Sequence, residues 1–308
     1  MRLDDFDPDI KVGDQGNRGG GFGGFGGGGG GGMLMGLLPF VFSRFGCGGV
    51  VVLLAIAFFL GGNPLGLISG GGQQTQTGQV AQAPGLGNAT QICSTSPDKR
   101  AACNAFSSAD KTWAAAFQQA GETFRQPALM FYDRNGQSGC GAAQSAMGPF
   151  YCPSDQTIYL DPSFFDELQQ KYGASGDFAQ DYVIAHEFGH HIQELLGTSD
   201  QVQQEMQRSS PAQANALSVR LELQADCFAG VWAGLNRDRM DPGDLQEGLT
   251  AAHAIGDDTL QKEAQGRVVP DSFTHGTSAE RMAWLKRGVT TADPSKCDTF
   301  SGPIDIAG

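Results

Sequence analysis

Residues 176–197 read GDFAQDYVIAHEFGHHIQELLG, and this stretch predicts the helix on which the fold and its chemistry depend. A Gly-Asp pair begins the helix and a glycine ends it. His186 and His190 are four residues apart, so on a helix they stand about 40° apart on one face, one turn above the other. Both imidazoles can therefore reach a single metal ion.

Glu187 follows the first histidine directly and points toward the open coordination position of such an ion. In an H-E-x-x-H helix of this kind, zinc lowers the pKa of a bound water and the carboxylate removes its proton. The other interpretation of the pattern is a solvated polar helix face. A longer motif with a third histidine is excluded, because Gln193 and Leu196 occupy the positions of its glycine and histidine.

A second predicted helix, residues 211–235, supplies the candidate for a third zinc ligand. Glu222 and Asp226 are one turn apart on one face of that helix. Glu222 can then bind zinc while Asp226 accepts the free ring N–H of a histidine ligand. The alternative is an ordinary pair of carboxylates on the protein surface.

Three phrases of the chain together resemble one known family. They are HEFGHH at 186–191, LELQADCFAGVW at 221–232 and SFTHGTS at 272–278. With these phrases the chain resembles the Glu-zincin metallopeptidases. More narrowly, its layout of a short tail, an apolar segment and these phrases is similar to that of the bacterial neutral zinc metallopeptidase family, the YpfJ-like proteins. The resemblance covers roughly residues 93–297. The acidic, glycine-rich tail departs from the basic tail expected of that family.

The resemblance implies a role for each residue of the two helices. By it, His186, His190 and Glu222 are zinc ligands, Glu187 is the general base, and Asp226 supports a histidine ligand from behind. It also implies a zincin-like fold and a peptide or protein substrate. We therefore expect a zinc-dependent, membrane-anchored metalloendopeptidase.

Three further histidines have less specific surroundings. His275 lies in a polar loop before a predicted helix, and in related Glu-zincins a later His or Tyr binds the oxyanion, so we predict that role for His275 as a second catalytic residue. A contact at the helix entry is the alternative. His191 points about 100° away from His190, which favours packing over metal binding. His253 is predicted to be structural.

The first 92 residues do not have the composition of a globular domain. Glycine dominates residues 13–32, and we predict a disordered tail over residues 1–32. Residues 33–68 contain a dense apolar run and predict a single transmembrane helix, with a buried core helix or a cleaved signal peptide as alternatives. Residues 69–92 read as a flexible linker, and residues 93–308 as the metallopeptidase domain.

Basic residues give the expected orientation in a bacterial inner membrane. Arg18 and Arg44 precede the apolar run and no basic residue follows it before Lys99, so the N-terminus is expected in the cytoplasm and the catalytic domain in the periplasm or outside. Six cysteines beyond the run agree with an oxidising compartment.

Those six cysteines allow 15 disulfide pairings, among which sequence cannot choose. Short loops make Cys93–Cys103 and Cys140–Cys152 the simplest pairs, and Cys227–Cys297 would remain. A zinc knuckle is disfavoured because no Cys-x-x-Cys pair is present.

The order of elements in residues 93–308 predicts an α+β fold that is predominantly helical. A helix from Ser107 or Ser108 to Phe124 precedes a strand at 127–132 and a hairpin of 149–152 with 157–160. Further helices are predicted at 161–172, 242–255 and 277–289. The free edge of the hairpin can accept an extended peptide as an added strand.

The net charge of −13 argues against nucleic acid as a partner. Oligomeric state cannot be read from the sequence. Two other functions stay open: a zinc-binding envelope adaptor without proteolytic activity, and a zinc hydrolase of non-peptide amide bonds.

Overall fold

A computed structural model describes residues 1–16 and 85–304 of the chain. The helix that carries HEFGHH is one of the longest. It ends just before Gly197, which adopts a φ of 73°. The helices are α1 Ala89–Cys93, α2 Pro97–Ala120, α3 Ser163–Gln170, α4 Asp177–Leu195, α5 Thr198–Met206, α6 Pro211–Leu235, α7 Asp244–Ala254, α8 Asp257–Gln265 and α9 Ser278–Thr291. The strands are β1 Val12–Asp14, β2 Leu86–Gly87, β3 Ala128–Phe131, β4 Asn135–Ser138, β5 Gly141–Gln144, β6 Phe150–Cys152 and β7 Thr157–Leu160.

The architecture is α+β and mostly helical, as predicted. Five strands form one sheet in the order β2-β1-β3-β7-β6, and β4 pairs with β5 in a separate hairpin. The predicted hairpin of β6 and β7 is confirmed, with Phe150 opposite Tyr159 and Cys152 opposite Thr157. β3 and β7 run parallel and all their residues are buried, which agrees with strands covered on both faces.

The first 16 residues belong to the folded unit, which corrects the predicted disordered tail over that range. β1 pairs in parallel with β3 and antiparallel with β2, so it lies inside the sheet. Met1, Ile10 and Val12 are buried in the core. The physical reason is local composition, because the glycine-dominated run begins only after a short segment with buried apolar side chains.

The predicted transmembrane segment, residues 33–68, lies outside the described residues, together with the rest of the tail and most of the linker. Over residues 1–16 and 85–304, no helix is long and apolar enough to cross a membrane. The expected orientation put the N-terminus and the catalytic domain on opposite sides of a membrane. β1 and β3 belong to one sheet, so residues 1–16 and the candidate catalytic residues are parts of one folded unit.

Several element bounds differ from the prediction for local reasons. α2 begins at Pro97, ten residues before Ser107, because the Ser96 hydroxyl accepts the Lys99 N–H and Pro97 occupies the first turn. α1 begins inside the predicted linker, where the Asn88 side chain accepts the Gln91 N–H. α5, α8, β1, β2 and the β4–β5 hairpin were not predicted.

Helix α6 passes between α4 and α9 with very little space on either side. At the α9 crossing, a Cβ on Gly230 would collide with the backbone of Leu285, and a Cβ on Gly288 with the backbone of Cys227. The disulfide Cys227–Cys297 joins α6 to the C-terminal segment. The other two disulfides of the described residues are Cys93–Cys103 and Cys140–Cys152. The simplest of the predicted pairings is therefore confirmed.

Candidate metal centre

Helices α4 and α6 bring three candidate ligands together. The Glu222 carboxylate lies 3.2 Å from Nε2 of His186 and 3.6 Å from Nε2 of His190. One ligand atom from each of the three residues lies within 4.8 Å of the others. Two imidazole nitrogens and one carboxylate oxygen are a donor set that zinc prefers in hydrolytic sites, where a fourth position stays open. The three residues predicted from the sequence thus converge.

The close approach of the two helices depends on Gly189, one residue before the second histidine. A Cβ at this position would come to 2.9 Å from the carbonyl oxygen of Ala225 and 3.0 Å from its Cα. Such distances require a neighbour to shift, and a helix backbone yields little. The absence of a side chain at Gly189 therefore lets Glu222 reach the histidines.

Asp226 orients the ring of His186. Its Oδ1 lies 2.8 Å from Nδ1 of His186, while Nε2 of the same ring faces Glu222. An ionised carboxylate accepts only, so Asp226 holds one ring proton on Nδ1, and Nε2 is the nitrogen from which a metal can displace the proton shared with Glu222. The structure thus brings Asp226 behind the site, where the sequence predicted it.

Burial opposes ionisation of Asp226, but Arg281 and His186 outweigh that effect and lower the pKa of the carboxyl to about 2. Arg281 binds both oxygens of Asp226, and the hydroxyl of Tyr182 donates to one of them. Neither residue was a candidate from the sequence. No sequence pattern marks an arginine as buried and paired, because its partner lies on another helix.

Gln193 orients the second histidine. Its Oε1 lies 2.9 Å from Nδ1 of His190, and its Nε2 donates to the carbonyl of Leu221 at 2.7 Å and to Gln224 at 3.1 Å. The residue that excluded the longer histidine motif therefore fixes the ring of His190. It also joins α4 to α6 beside Glu222.

The charges of the three candidate ligands are strongly coupled. Burial opposes the imidazolium form of His186, yet Asp226 and Glu222 raise its pKa to about 10. Burial also opposes protonation of His190, whose pKa is raised by Glu222. The pKa of Glu222 falls well below its usual range, since the two histidines outweigh the effect of burial. Without a metal ion, protons hold these groups together, and an ion must displace them.

The predicted general base, Glu187, is buried, with 7% of its surface exposed. Its carboxylate is close enough to His190 to raise the pKa of that imidazole. It is not one of the three groups that converge on a metal position. This placement agrees with a group that acts on water rather than on the ion.

His275 lies in the loop before α9, held by Asp257 at the beginning of α8. Oδ2 of Asp257 accepts the N–H groups of Thr274, His275 and Gly276 at 2.6 to 3.1 Å. Its Oδ1 lies 3.3 Å from Nδ1 of His275. Burial opposes protonation of His275, but Asp257 and then Glu222 raise its pKa. The side chain of His275 is half-exposed.

His191 is fully buried and serves packing, as predicted. Nδ1 accepts the hydroxyl of Tyr151 at 3.0 Å, and Nε2 donates to the carbonyl of Arg125 at 2.6 Å. Burial lowers the pKa of this imidazole to about 4. The pair connects α4 to strand β6. His253, predicted to be structural, is exposed on α7.

Comparison with known proteins gives one family match. The model of a family described as "Putative neutral zinc metallopeptidase" matches residues 9–300. The match includes β1, both helices of the metal centre, and the loop that carries His275. It therefore covers every candidate site residue.

Individual relatives agree with this match. Uncharacterized protein YpfJ of Escherichia coli strain K12 is 46% identical over 263 residues, which are 84% of this chain and 88% of that protein. Uncharacterized proteins Mb2605 of Mycobacterium bovis and Rv2575 of Mycobacterium tuberculosis are each 42% identical over 191 residues, 58% of this chain and 64% of theirs. No solved structure matches the chain.

Proposed function

The chain belongs to the neutral zinc metallopeptidase family, and from that premise we propose that it hydrolyses peptide bonds in the centre formed by His186, His190 and Glu222. One observation carries the proposal: two imidazole nitrogens and a carboxylate oxygen from separate helices converge within 4.8 Å. All three side chains are at least partly buried. A buried ligand set of this kind fits zinc better than a hard cation, which prefers oxygen ligands alone.

Zinc, when bound there, lowers the pKa of a water ligand and polarises the substrate carbonyl. Glu187 accepts the proton of the attacking water and delivers it to the amine that leaves. Asp226 keeps the ring proton of His186 on Nδ1, so the other nitrogen stays available as a ligand. Gln193 performs the corresponding task for His190.

His275 is proposed to donate a hydrogen bond to the oxyanion that forms from the substrate carbonyl. Because the pKa of His275 is raised, its ring stays protonated to higher pH. The resulting imidazolium is a stronger hydrogen-bond donor than the neutral ring. The backbone of its loop is held by three hydrogen bonds to Asp257, so the donor needs little reorganisation during the reaction.

Strand β6 is proposed to bind the substrate as an added strand. β6 is the last strand in the described sheet, next to β7. Tyr151 on this strand donates its hydroxyl to His191, the residue that follows the second ligand. The edge is therefore connected directly to the metal-binding helix, which suits an extended peptide bound beside the site.

Attachment to the bacterial inner membrane through residues 33–68 is a proposal carried by their apolar sequence alone. Three disulfides favour an oxidising compartment for the folded unit. Since residues 1–16 share its sheet, they are proposed to lie in the same compartment as the catalytic residues. Protease accessibility of tags at the two ends of the full chain, in intact spheroplasts, tests this arrangement.

The decisive test of the activity compares three variants of the full chain. Glu187→Gln should keep its fold and one zinc per chain but lose peptide cleavage, because it removes only the base. Glu222→Gln should lose zinc together with activity. Glu194→Gln, on the same helix, is the matched control and should behave like the parent protein.

Zinc content is measured by elemental analysis and cleavage with a peptide library. Cleavage by Glu187→Gln at the parent rate would exclude that residue as the base. Stoichiometric zinc without cleavage in the parent protein would favour the adaptor function instead.

A further inference from the structure

Arg281 is a charged residue in the protein interior, with only 2% of its surface exposed. Its Nε donates to Oδ2 of Asp226 at 2.9 Å and its Nη2 to Oδ1 of the same carboxylate at 2.9 Å. Nη1 donates to the carbonyl of Ile255 at 3.2 Å. A buried guanidinium is costly unless it is paired in such a fork, and the fork fixes the plane of the carboxylate.

The carboxylate held by Arg281 is the one that orients a zinc ligand. Oδ1 of Asp226 accepts Nδ1–H of His186 at 2.8 Å and the Tyr182 hydroxyl at 2.6 Å, in addition to Arg281. With three donors on one oxygen and one on the other, any rotation of Asp226 breaks a bond to Arg281. The direction of the His186 ring is therefore set by Arg281 through Asp226.

The guanidinium is itself positioned by a rigid element. Arg281 lies in the first turns of α9, whose beginning is closed by a capping box between Thr277 and Glu280. α9 packs against α6 at Gly230 and Gly288 without room for a side chain. Arg281 therefore reaches Asp226 from a helix that cannot slide freely along α6.

Charge gives Arg281 a second effect on the centre. Asp226 carries a negative charge within hydrogen-bond distance of a histidine ligand, and Arg281 neutralises it. Glu222 then remains the anion that faces the metal position. A lysine at position 281 would keep the charge but lose the bidentate fork, so charge and geometry can be separated experimentally.

We propose that Arg281, assisted by Tyr182, is a positioning residue of the zinc centre that acts through Asp226. Its Nη2 also lies 3.3 Å from Nδ1 of His186, but it touches neither the metal position nor the reacting atoms. The proposal rests on the proposed function in so far as His186 is a zinc ligand. The competing explanation is an ion pair that only stabilises the contact between α6 and α9.

The test measures zinc affinity, not catalysis. Zinc dissociation constants are obtained by competition with a chromophoric chelator, and the visible spectrum of the Co²⁺-substituted protein reports ligand geometry. Arg281→Lys should weaken zinc binding by roughly 10- to 100-fold and change the cobalt spectrum. In an Asp226→Ala background, the same change should have a much smaller effect on zinc affinity, because only the 3.3 Å contact between Arg281 and His186 remains.

Arg237→Lys is the matched control, because Arg237 also binds a carbonyl of α9, at Val289, but lies beyond the C-terminal end of α6, far from the ligands. It should reduce stability without changing zinc affinity. Tyr182→Phe removes a single hydroxyl and is the second variant, to be used if Arg281→Lys does not fold. We expect it to lower zinc affinity by roughly 3- to 10-fold. Parent-like zinc affinity and cobalt spectrum in a folded Arg281→Lys protein, or in Tyr182→Phe, would overturn the proposal.

The outcomes separate this inference from the proposed function. If the parent protein cleaves no peptide but Arg281→Lys weakens zinc binding, the positioning role holds and the peptidase activity does not. If Glu222→Gln still binds one zinc with parent affinity, the metal position is elsewhere and both fail.

Discussion

Gly189 lies directly against the backbone of Ala225, where a Cβ at position 189 would approach the carbonyl oxygen to 2.9 Å. This contact sets the distance between α4, which carries both histidines, and α6, which carries Glu222. The glycine in the HEFGHH phrase is thus a packing requirement of the metal centre. Its effect on metal binding is indirect, through the separation of the two helices.

Gly189→Ala is expected to destabilise the protein by about 1–3 kcal/mol and to weaken zinc binding, because the two helices must move apart. In an unobstructed helix the same change is stabilising by up to about 1 kcal/mol, so the sign of the effect distinguishes packing from helix propensity. Denaturant unfolding of the metal-free protein and chelator competition provide the two measurements. Greater stability in the variant would contradict the contact.

Zinc binding at pH 7 is expected to release at least one proton. Burial opposes charge on His186, but Asp226 and Glu222 raise the pKa of its imidazole to about 10 in the metal-free protein, so the ion must displace a proton. Calorimetric titration in two buffers with different ionisation enthalpies gives the number released. The number should fall as the pH approaches 10. Binding without proton release at pH 7 would show that His186 is already neutral.

His275→Ala is expected to lower kcat by roughly 10²- to 10³-fold with little change in KM, because the hydrogen bond forms to the oxyanion. His253→Ala, at an exposed histidine on α7, is the control and should keep parent activity.

The pH profile gives a second readout of the same role. Burial opposes protonation of His275, and the Asp257 hydrogen bond outweighs it and raises the pKa. Asp257→Asn should therefore move the alkaline limb of kcat/KM to lower pH. An unchanged alkaline limb in this variant would show that protonation of His275 does not contribute to kcat/KM.

His191 is expected to make the protein less stable in acid. Burial lowers the pKa of His191 to about 4, so between pH 6.5 and pH 4 the unfolded chain binds a proton that the folded protein does not. This residue alone should reduce the free energy of unfolding by about 3 kcal/mol across that window as the pH falls. Other groups titrate there too, so the quantity to measure is the difference in slope between the parent and His191→Gln. Equal slopes would mean that His191 is not held neutral.

Much of the metal centre was predictable from the sequence because its determinants are periodic. His186 and His190 recur at the helical repeat, as do Glu222 and Asp226, and each pair shares a face as soon as the segment is helical. The hairpin of β6 and β7 was predictable for the same reason, since turn-forming residues separate two short apolar runs. The disulfides followed from short loops.

Other features could not be read from the sequence because they depend on segments far apart in the chain. β1 joins the sheet through pairing with a strand more than 100 residues away, and its short sequence has no strand pattern of its own. Arg281 is recognisable only by its partner on α6. Gly189 looks like an ordinary helix glycine until Ala225 is seen beside it.

The sequence by itself therefore determined which candidate ligands share a helix face, and predicted from this which residues bind zinc and which carboxylate acts as base, because spacing along one helix decides what shares a face. Only the tertiary structure decided that Glu222 meets the two histidines, and that Asp226, Gln193 and Arg281 fix the ring orientations. Those relationships require two or three helices to pack at one separation. That separation is set by glycines and buried charges whose partners are distant in sequence.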